Sequence, residues 1–181
     1  MNREQAREAF DKAELIHDAG QIDLAVDRMA EAISADLADR DPILICVMNG
    51  GLVPSALLMT RLSFPLRVDY LHATRYRERT FGTDLDWKKQ HELSLQGQTL
   101  LVVDDILDEG YTLEAVLDFC RCQGAADVRS AVLVEKRHQR GTDLRADYVG
   151  LEVPDRYVFG YGMDYKGYWR NAPGIFAAAD D

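Results

Sequence analysis

No apolar run in the 181 residues approaches the ~20 that a membrane-crossing helix needs, so no membrane partner is expected. Basic residues are scarce: 21 Lys and Arg stand against 31 Asp and Glu, giving a net charge of -10 and a pI near 4.8. A protein that gripped nucleic-acid backbones by charge would be basic, so nucleic acid is not an expected partner either. Only three cysteines occur, Cys46, Cys120 and Cys122, with no C-x-x-C pair, and the four histidines (His17, His72, His91, His138) lack metal-ligand spacing. That disfavours a disulfide framework, a redox dithiol and a zinc centre, and leaves the thiols as small core hydrophobes. Repeats, low-complexity tracts and Pro/Gly/Ser-rich linkers are missing too, which makes one domain the default. The opening MNREQAREAFDKAEL is charged and helical in character and does not resemble a signal peptide, so a soluble, cytoplasmic protein is expected.

Present instead is an ordinary globular balance, 47% hydrophobic and 29% charged, in a chain long enough to bury roughly 70% of its unfolded surface without a staple. Ile22, Val26, Met29, Ile33 and Leu37 form the stripe of an amphipathic helix across residues 21–40. The continuous apolar run Ile43–Val47 predicts a strand buried on both faces. After Gly50 and Gly51 a helical period restarts with Val53, Leu57, Leu58 and Leu62. Further strands are predicted at 66–71, 99–103 and 128–134, with shorter ones at 148–153 and 157–161. Residues 111–122 predict a helix stopped by Gly124.

Helices alternating with buried strands imply a mostly parallel α/β sheet covered on both faces. Ligands bind such sheets beyond the carboxyl ends of the strands. Three strand ends are therefore candidate sites: 48–51, 104–112 and 135–137. Residues 74–97 are polar, mixed in charge and long for a plain connection, which suits either a mobile cover over a site or a solvated hairpin with no catalytic part.

The most informative stretch is LLVVDDILDEGYTL, residues 100–113. A buried strand delivers Asp104 and Asp105, and a turn through Asp108, Glu109 and Gly110 opens a helix at Tyr111 and Thr112. Backbone N–H groups at a helix N-terminus can cradle a phosphate, and glycine permits the close approach such a loop needs. Acids before a helix are also ordinary caps. One acidic cap needs no function, but four acids within residues 104–109 repel one another, and that cost suggests a ligand.

This stretch resembles the 5-phosphoribosyl-1-pyrophosphate (PRPP) signature of the type I phosphoribosyltransferases. CVMNGG (46–51) resembles the pyrophosphate loop of the hypoxanthine-guanine branch, VEKR (134–137) its base-reading strand end, and PDRYVFGYGMDYKGYWR (154–170) its C-terminal hood. The resemblance spans most of the chain, from about residue 15 to 170. It implies a Rossmann-like, mostly parallel sheet with helices on both faces and a small hood built from the N- and C-terminal segments. The core would cover about 21–150, the hood about 1–20 and 151–181, and the mobile loop about 74–97.

The implied reaction joins a purine base to PRPP with Mg²⁺ as cofactor, giving IMP or GMP and pyrophosphate. By the same resemblance Asp104 and Asp105 would hold the ribose hydroxyls or ribose-bound Mg²⁺, and Asp164 would sit near a second Mg²⁺ through water. Asp108 would be the catalytic group at purine N7. Asp108, Glu109, Gly110, Tyr111 and Thr112 would wrap the 5'-phosphate, while Asn49, Gly50, Gly51 and Arg170 would meet pyrophosphate. Lys136 would donate to the 6-oxo group, Tyr157 would stack on the base, Val158 would meet its edge and Met163 would line the pocket. Arg75 and Tyr76 would belong to the mobile loop. A non-proline cis peptide would fall at Met48-Asn49, and the chain would assemble as a homodimer or homotetramer.

Three positions depart from the resembled pattern. Glu109 stands where a threonine is usual, Asn49 where some relatives have lysine, and Arg75 where the loop has serine. Two readings compete with the 6-oxopurine enzyme: a regulatory protein of the same fold that binds nucleotide and RNA, and a phosphoribosyltransferase for another base such as xanthine. A receiver-like phosphorylation domain also pairs acids at strand ends, but there they follow an early strand rather than one past the chain's midpoint.

Overall fold

The computed structural model describes residues 1–75, 85–89 and 92–179, with 73–75 and 85–89 described as backbone. The chain opens with α1 (Arg3–Asp11), β1 (Glu14–Asp18) and α2 (Ala19–Leu37). It continues through β2 (Ile43–Val47), α3 (Leu52–Met59), β3 (Arg67–Arg75) and β4 (Leu85–Lys89). The second half holds β5 (Thr99–Leu107), α4 (Tyr111–Cys122), β6 (Asp127–Lys136), β7 (Tyr148–Val153), β8 (Val158–Phe159) and β9 (Gly174–Ala177).

Six strands form one sheet in the order β4-β3-β2-β5-β6-β7, parallel from β3 to β7, with β4 antiparallel at one edge. Along β2 and β5 the pleat sends alternate residues to opposite faces, and both faces are dry. Ile43, Ile45, Leu100 and Val102 pack toward α4 with Leu113, Val116 and Leu117. Leu44, Cys46, Leu101 and Val103 pack toward the other face with Ile22, Val26, Met29 and Ile33 of α2. Each fully buried aliphatic side chain contributes roughly 1.5–3 kcal/mol through the water it sheds, so this double layer holds the strand ends in place. A second, three-stranded antiparallel sheet, β1-β9-β8, unites the two ends of the chain above the carboxyl edge of β7 and carries its own cluster of Phe159, Phe10, Trp169 and Phe176.

Local chemistry explains where the elements begin and end. Asp18 caps α2 in a reciprocal box with Gln21, which starts that helix two residues before the hydrophobic stripe suggests. Gly124, at φ +83°, takes the left-handed position just past α4. β8 is shorter than the predicted strand because Gly160 turns away at φ +102°. Within 74–97, the backbone of β4 runs antiparallel to β3, so part of this segment is a hairpin arm. Tyr76 lies outside the described residues, as does the Arg75 side chain. One cysteine departs from expectation: Cys46 and Cys120 are buried, whereas Cys122 is exposed on the last turn of α4.

Candidate active site

β5 runs four residues further than its apolar core suggests, pairing with β6 as far as Leu107↔Glu135. Asp104 and Asp105 thus sit on the strand itself, 8% and 9% exposed, rather than in the loop beyond it. The Asp104 carboxylate accepts the Asp105 N–H at 2.8 Å. Burial pushes the Asp104 carboxyl well above its ordinary range, and the neighbouring Asp105 charge adds to the rise. Burial likewise raises Asp105, partly offset by its hydrogen bond to Asp104 and the charge of Arg170, whose nearest guanidinium nitrogen is 3.8 Å away. Two buried acids held side by side are stabilised by any cation that arrives.

Gly50 approaches this pair so closely that a Cβ there would meet Asp105 Oδ2 at 2.0 Å. The preceding Met48-Asn49 peptide is cis. Gly51 differs from expectation. Its N–H donates to Val47 O at 2.8 Å and so turns inward, away from any pyrophosphate; glycine is required there because a Cβ would meet Val103 O at 2.4 Å.

After β5 the chain turns through Asp108 and Glu109 to Gly110, which caps α4 in the left-handed region at φ +84°. The first turn of α4, Tyr111, Thr112 and Leu113, lines the cleft at the positive end of the helix dipole. Segment 138–144 buttresses this turn, since Thr142 N–H donates to Glu109 O at 2.8 Å and a Cβ on Gly110 would meet Thr142 Oγ1 at 2.4 Å.

These elements enclose a cleft of about 570 Å³ whose lining includes Asn49, Gly50, Asp104, Asp105, the 108–112 turn and Arg170. Glu109 is half-buried and lines the same cleft. Arg170 is steadied at the rim by Gly162 O and the Asp164 carboxylate, each at 2.5 Å. A smaller cavity of about 230 Å³ adjoins it, sharing Asp105, Ile106, Asp108 and Asp164, and its other walls are Lys136, Tyr157, Val158 and Met163. Tyr157 is half exposed and meets Tyr165 edge-on, leaving ring surface at the mouth; Val158 and Met163 are buried.

The predicted residues at 49–50, 104–112 and 170 therefore converge on one cavity and Lys136, Tyr157, Val158 and Met163 on the next, with Asp108 in both. Sequence reasoning missed Ile106, His72 and His138. His72 lines the larger cleft from β3, and His138 bonds Asp108. No spacing rule reaches His138, because it meets Asp108 across a separation of 30 residues.

Asp108 is clamped on both oxygens, by Lys136 Nζ at 2.7 Å and by His138 Nε2 at 2.6 Å. Partial burial alone would raise its pKa, but the hydrogen bonds and charges of Lys136 and His138 outweigh it and lower the pKa.

Among the described residues no three His, Cys, Asp or Glu side chains converge as a self-sufficient metal cage. The donor set fits a hard divalent ion of another kind, one bound by a pair of buried carboxylates and completed by substrate oxygens and water. Both Asp164 oxygens are engaged, by Gly167 N–H and by Arg170, which suits contact through water better than direct ligation.

Comparison with known proteins agrees with this geometry. Residues 12–166 match the family model of the phosphoribosyl transferase domain. The hypoxanthine-guanine phosphoribosyltransferase of Bacillus subtilis is 31% identical over 156 residues, covering 86% of this chain and 87% of that protein. The Aquifex aeolicus protein of the same name is 28% identical over 93% of this chain and 96% of its own. The hypoxanthine phosphoribosyltransferase of Trypanosoma cruzi, solved in complex with the product IMP, superposes with a TM-score of 0.86 at 25% identity, over 93% of this chain and 96% of that one. The chain belongs to the type I phosphoribosyltransferases, among the hypoxanthine-guanine phosphoribosyltransferases.

Proposed function

We propose that this enzyme transfers the phosphoribosyl group of PRPP to N9 of hypoxanthine or guanine, forming IMP or GMP and releasing pyrophosphate, with Mg²⁺ as the divalent ion. The observation that carries this reading is the pair of adjoining cavities that meet at Asp108, one acidic and open to a helix N-terminus, the other narrow and walled by Lys136, Tyr157 and Val158.

In this reading the 5'-phosphate rests on the first-turn amides of α4 and the Thr112 hydroxyl, where the helix dipole favours an anion. Asp104 and Asp105 orient the ribose through its hydroxyls. Pyrophosphate lies toward Asn49, Gly50 and Arg170, whose forked guanidinium suits its oxygens. Mg²⁺, when bound by Asp104 and Asp105 with substrate, neutralises the leaving group's charge. Tyr157 stacks on the purine, the Val158 backbone meets its edge, and Lys136 donates to O6. As the C1'–oxygen bond to pyrophosphate breaks, its electron pair leaves with pyrophosphate and N9 bonds to C1'. Asp108 accepts the N7 proton of the incoming base. Lys136, bonded to the Asp108 carboxylate at 2.7 Å, exchanges it for the base oxygen on substrate entry. Segment 74–97, with Arg75 and Tyr76, is assigned as the mobile loop that covers the reacting carbon against water.

We place the enzyme in the cytoplasm as a homodimer or homotetramer. No described helix is long and apolar enough to cross a membrane. The test is an assay of PRPP and Mg²⁺ against hypoxanthine, guanine, xanthine and adenine, with and without Asp108→Asn. Nucleotide should form from the first two bases, and turnover of the variant should fall by about 10²–10⁴. Preference for adenine, or unchanged turnover of the variant, would reject the assignment.

A further inference from the structure

His138 is nearly sealed from solvent, with 7% of its side chain exposed, although it lies on the loop that follows β6. Its two ring nitrogens have different partners. Nδ1 accepts the backbone N–H of Arg140 at 3.1 Å, which assigns the ring proton to Nε2, and Nε2 lies 2.6 Å from Asp108 Oδ1. Arg140 is itself fixed, since its guanidinium makes a bidentate pair with Asp155 at 2.6 and 2.8 Å. A continuous line of contacts therefore runs from Asp155 at the base of the hood, through the Arg140 main chain and the imidazole, to one oxygen of Asp108.

We infer that His138 is a positioning residue for Asp108, donating Nε2–H to Oδ1 and keeping that carboxylate aimed and ionised after Lys136 has moved to the base. The inference rests on the proposed transfer reaction for its purpose but not for its geometry. Lys136 and His138 share the two oxygens of Asp108. Once Lys136 is recruited to a 6-oxo group, His138 alone holds Asp108, and a carboxylate that must accept a proton keeps a fixed orientation.

The charged and titratable groups that share a wall of either cavity or a charge contact with Asp108 come from several elements. Its own strand and turn supply Asp104, Asp105 and Glu109, with Tyr111 at the start of α4; β3 supplies His72; the end of β6 and the loop beyond it supply Lys136, His138 and Arg140; the hood supplies Tyr157, Asp164 and Arg170, with Asp155 paired to Arg140. Among these, Lys136 and His138 are the ones bonded to it.

The test is carbon-13 NMR titration of the aspartate carboxyls in the full-length protein, with Asp108 identified by its loss in Asp108→Asn. His138→Met fills the space without a donor and should raise the Asp108 midpoint by at least about half a pH unit. His138→Gln, which can donate to Asp108 and accept from Arg140, should titrate close to the parent. An unmoved midpoint in His138→Met overturns the inference, as does a Gln variant displaced as far as the Met variant. Should His138→Met fail to fold, an unmoved midpoint in His138→Leu, equally without a donor, overturns it instead. The acidic limb of kcat/KM for the base should follow the same order. Absence of turnover in every protein, with the midpoints shifted as expected, would reject the transfer reaction and leave the positioning role standing.

Discussion

Asp104, assigned to ribose and Mg²⁺, is a residue whose burial works against the stability of the fold. Its carboxyl is raised by burial and by Asp105, so in the folded state the charged form is disfavoured. For a group raised in this way, the stability it contributes is present below its unfolded pKa of about 3.9 and is lost as pH rises through the folded value. Asp104→Asn removes the effect. The variant should melt higher than the parent at pH 8, by roughly 1 kcal/mol or a few degrees for a chain of this size, and the gap should narrow at pH 5. It should also lose the thermal shift that PRPP and Mg²⁺ give the parent. Thermal melts at both pH values, with and without ligands, check this. Glu109 is the opposite case, a half-buried acid at a helix end assigned to an anion. Glu109→Thr should lower the KM for PRPP about 5-fold, the effect of removing roughly 1 kcal/mol of repulsion, and leave the KM for base nearly unchanged. Steady-state kinetics with each substrate varied in turn decides it.

At the scale of elements, the site depends on backbone brought against side chain. The loop after β2 touches the end of β5 at Gly50, where a methyl group would overlap the Asp105 carboxylate. Gly50→Ala should therefore displace Asp105, weaken PRPP and Mg²⁺ together and cost about 1–3 kcal/mol of stability, since neither element can retreat from the packed sheet. Isothermal titration and a denaturant melt measure the two effects. The central elements were legible because each announces itself: β2 and α4 match their expected limits, and the acidic end of β5 was found through its resemblance to a known signature. The termini were not. β1 is five residues with three of them exposed, and β9 has four, so neither offers a buried period long enough to separate from loop. Asp69 was silent for another reason. Buried on β3, it accepts the N–H groups of Glu92 and Leu93 at 2.7 Å each and ties the chain returning from β4 to the sheet, a contact that spans more than 20 residues and leaves no local pattern.

In the whole molecule, the parallel sheet and the loops at its strand ends carry the residues assigned to PRPP apart from Arg170 and Asp164, while the residues assigned to the base come from the end of β6 and from the hood made by both termini around the small sheet. That small sheet is tied down by long-range contacts: His17 Nε2 meets Glu152 O at 2.9 Å, Trp169 Nε1 donates to Ala6 O at 2.5 Å, and Arg156 pairs with Glu14. Helix α1 joins it through Phe10, which stacks on Trp169 at 4.5 Å and tilts against Phe176 at 4.8 Å. Phe10 lines neither cavity, yet it packs into the aromatic cluster of the hood that presents Tyr157 and Val158. Phe10→Ala should remove about 2–4 kcal/mol of packing, less than a fully buried phenylalanine because the ring is half-buried, and loosen the hood without disturbing the central sheet. The KM for hypoxanthine should then rise several-fold and the KM for PRPP by less, since Arg170 and Asp164 alone of its assigned residues sit on the hood, and hydrogen exchange should quicken in β8 and β9 but not in β2 or β5. Equal losses for the two substrates, or faster exchange throughout the sheet, would show that the hood and the core move as one unit and that the base and the sugar phosphate are not held by separable parts of the fold.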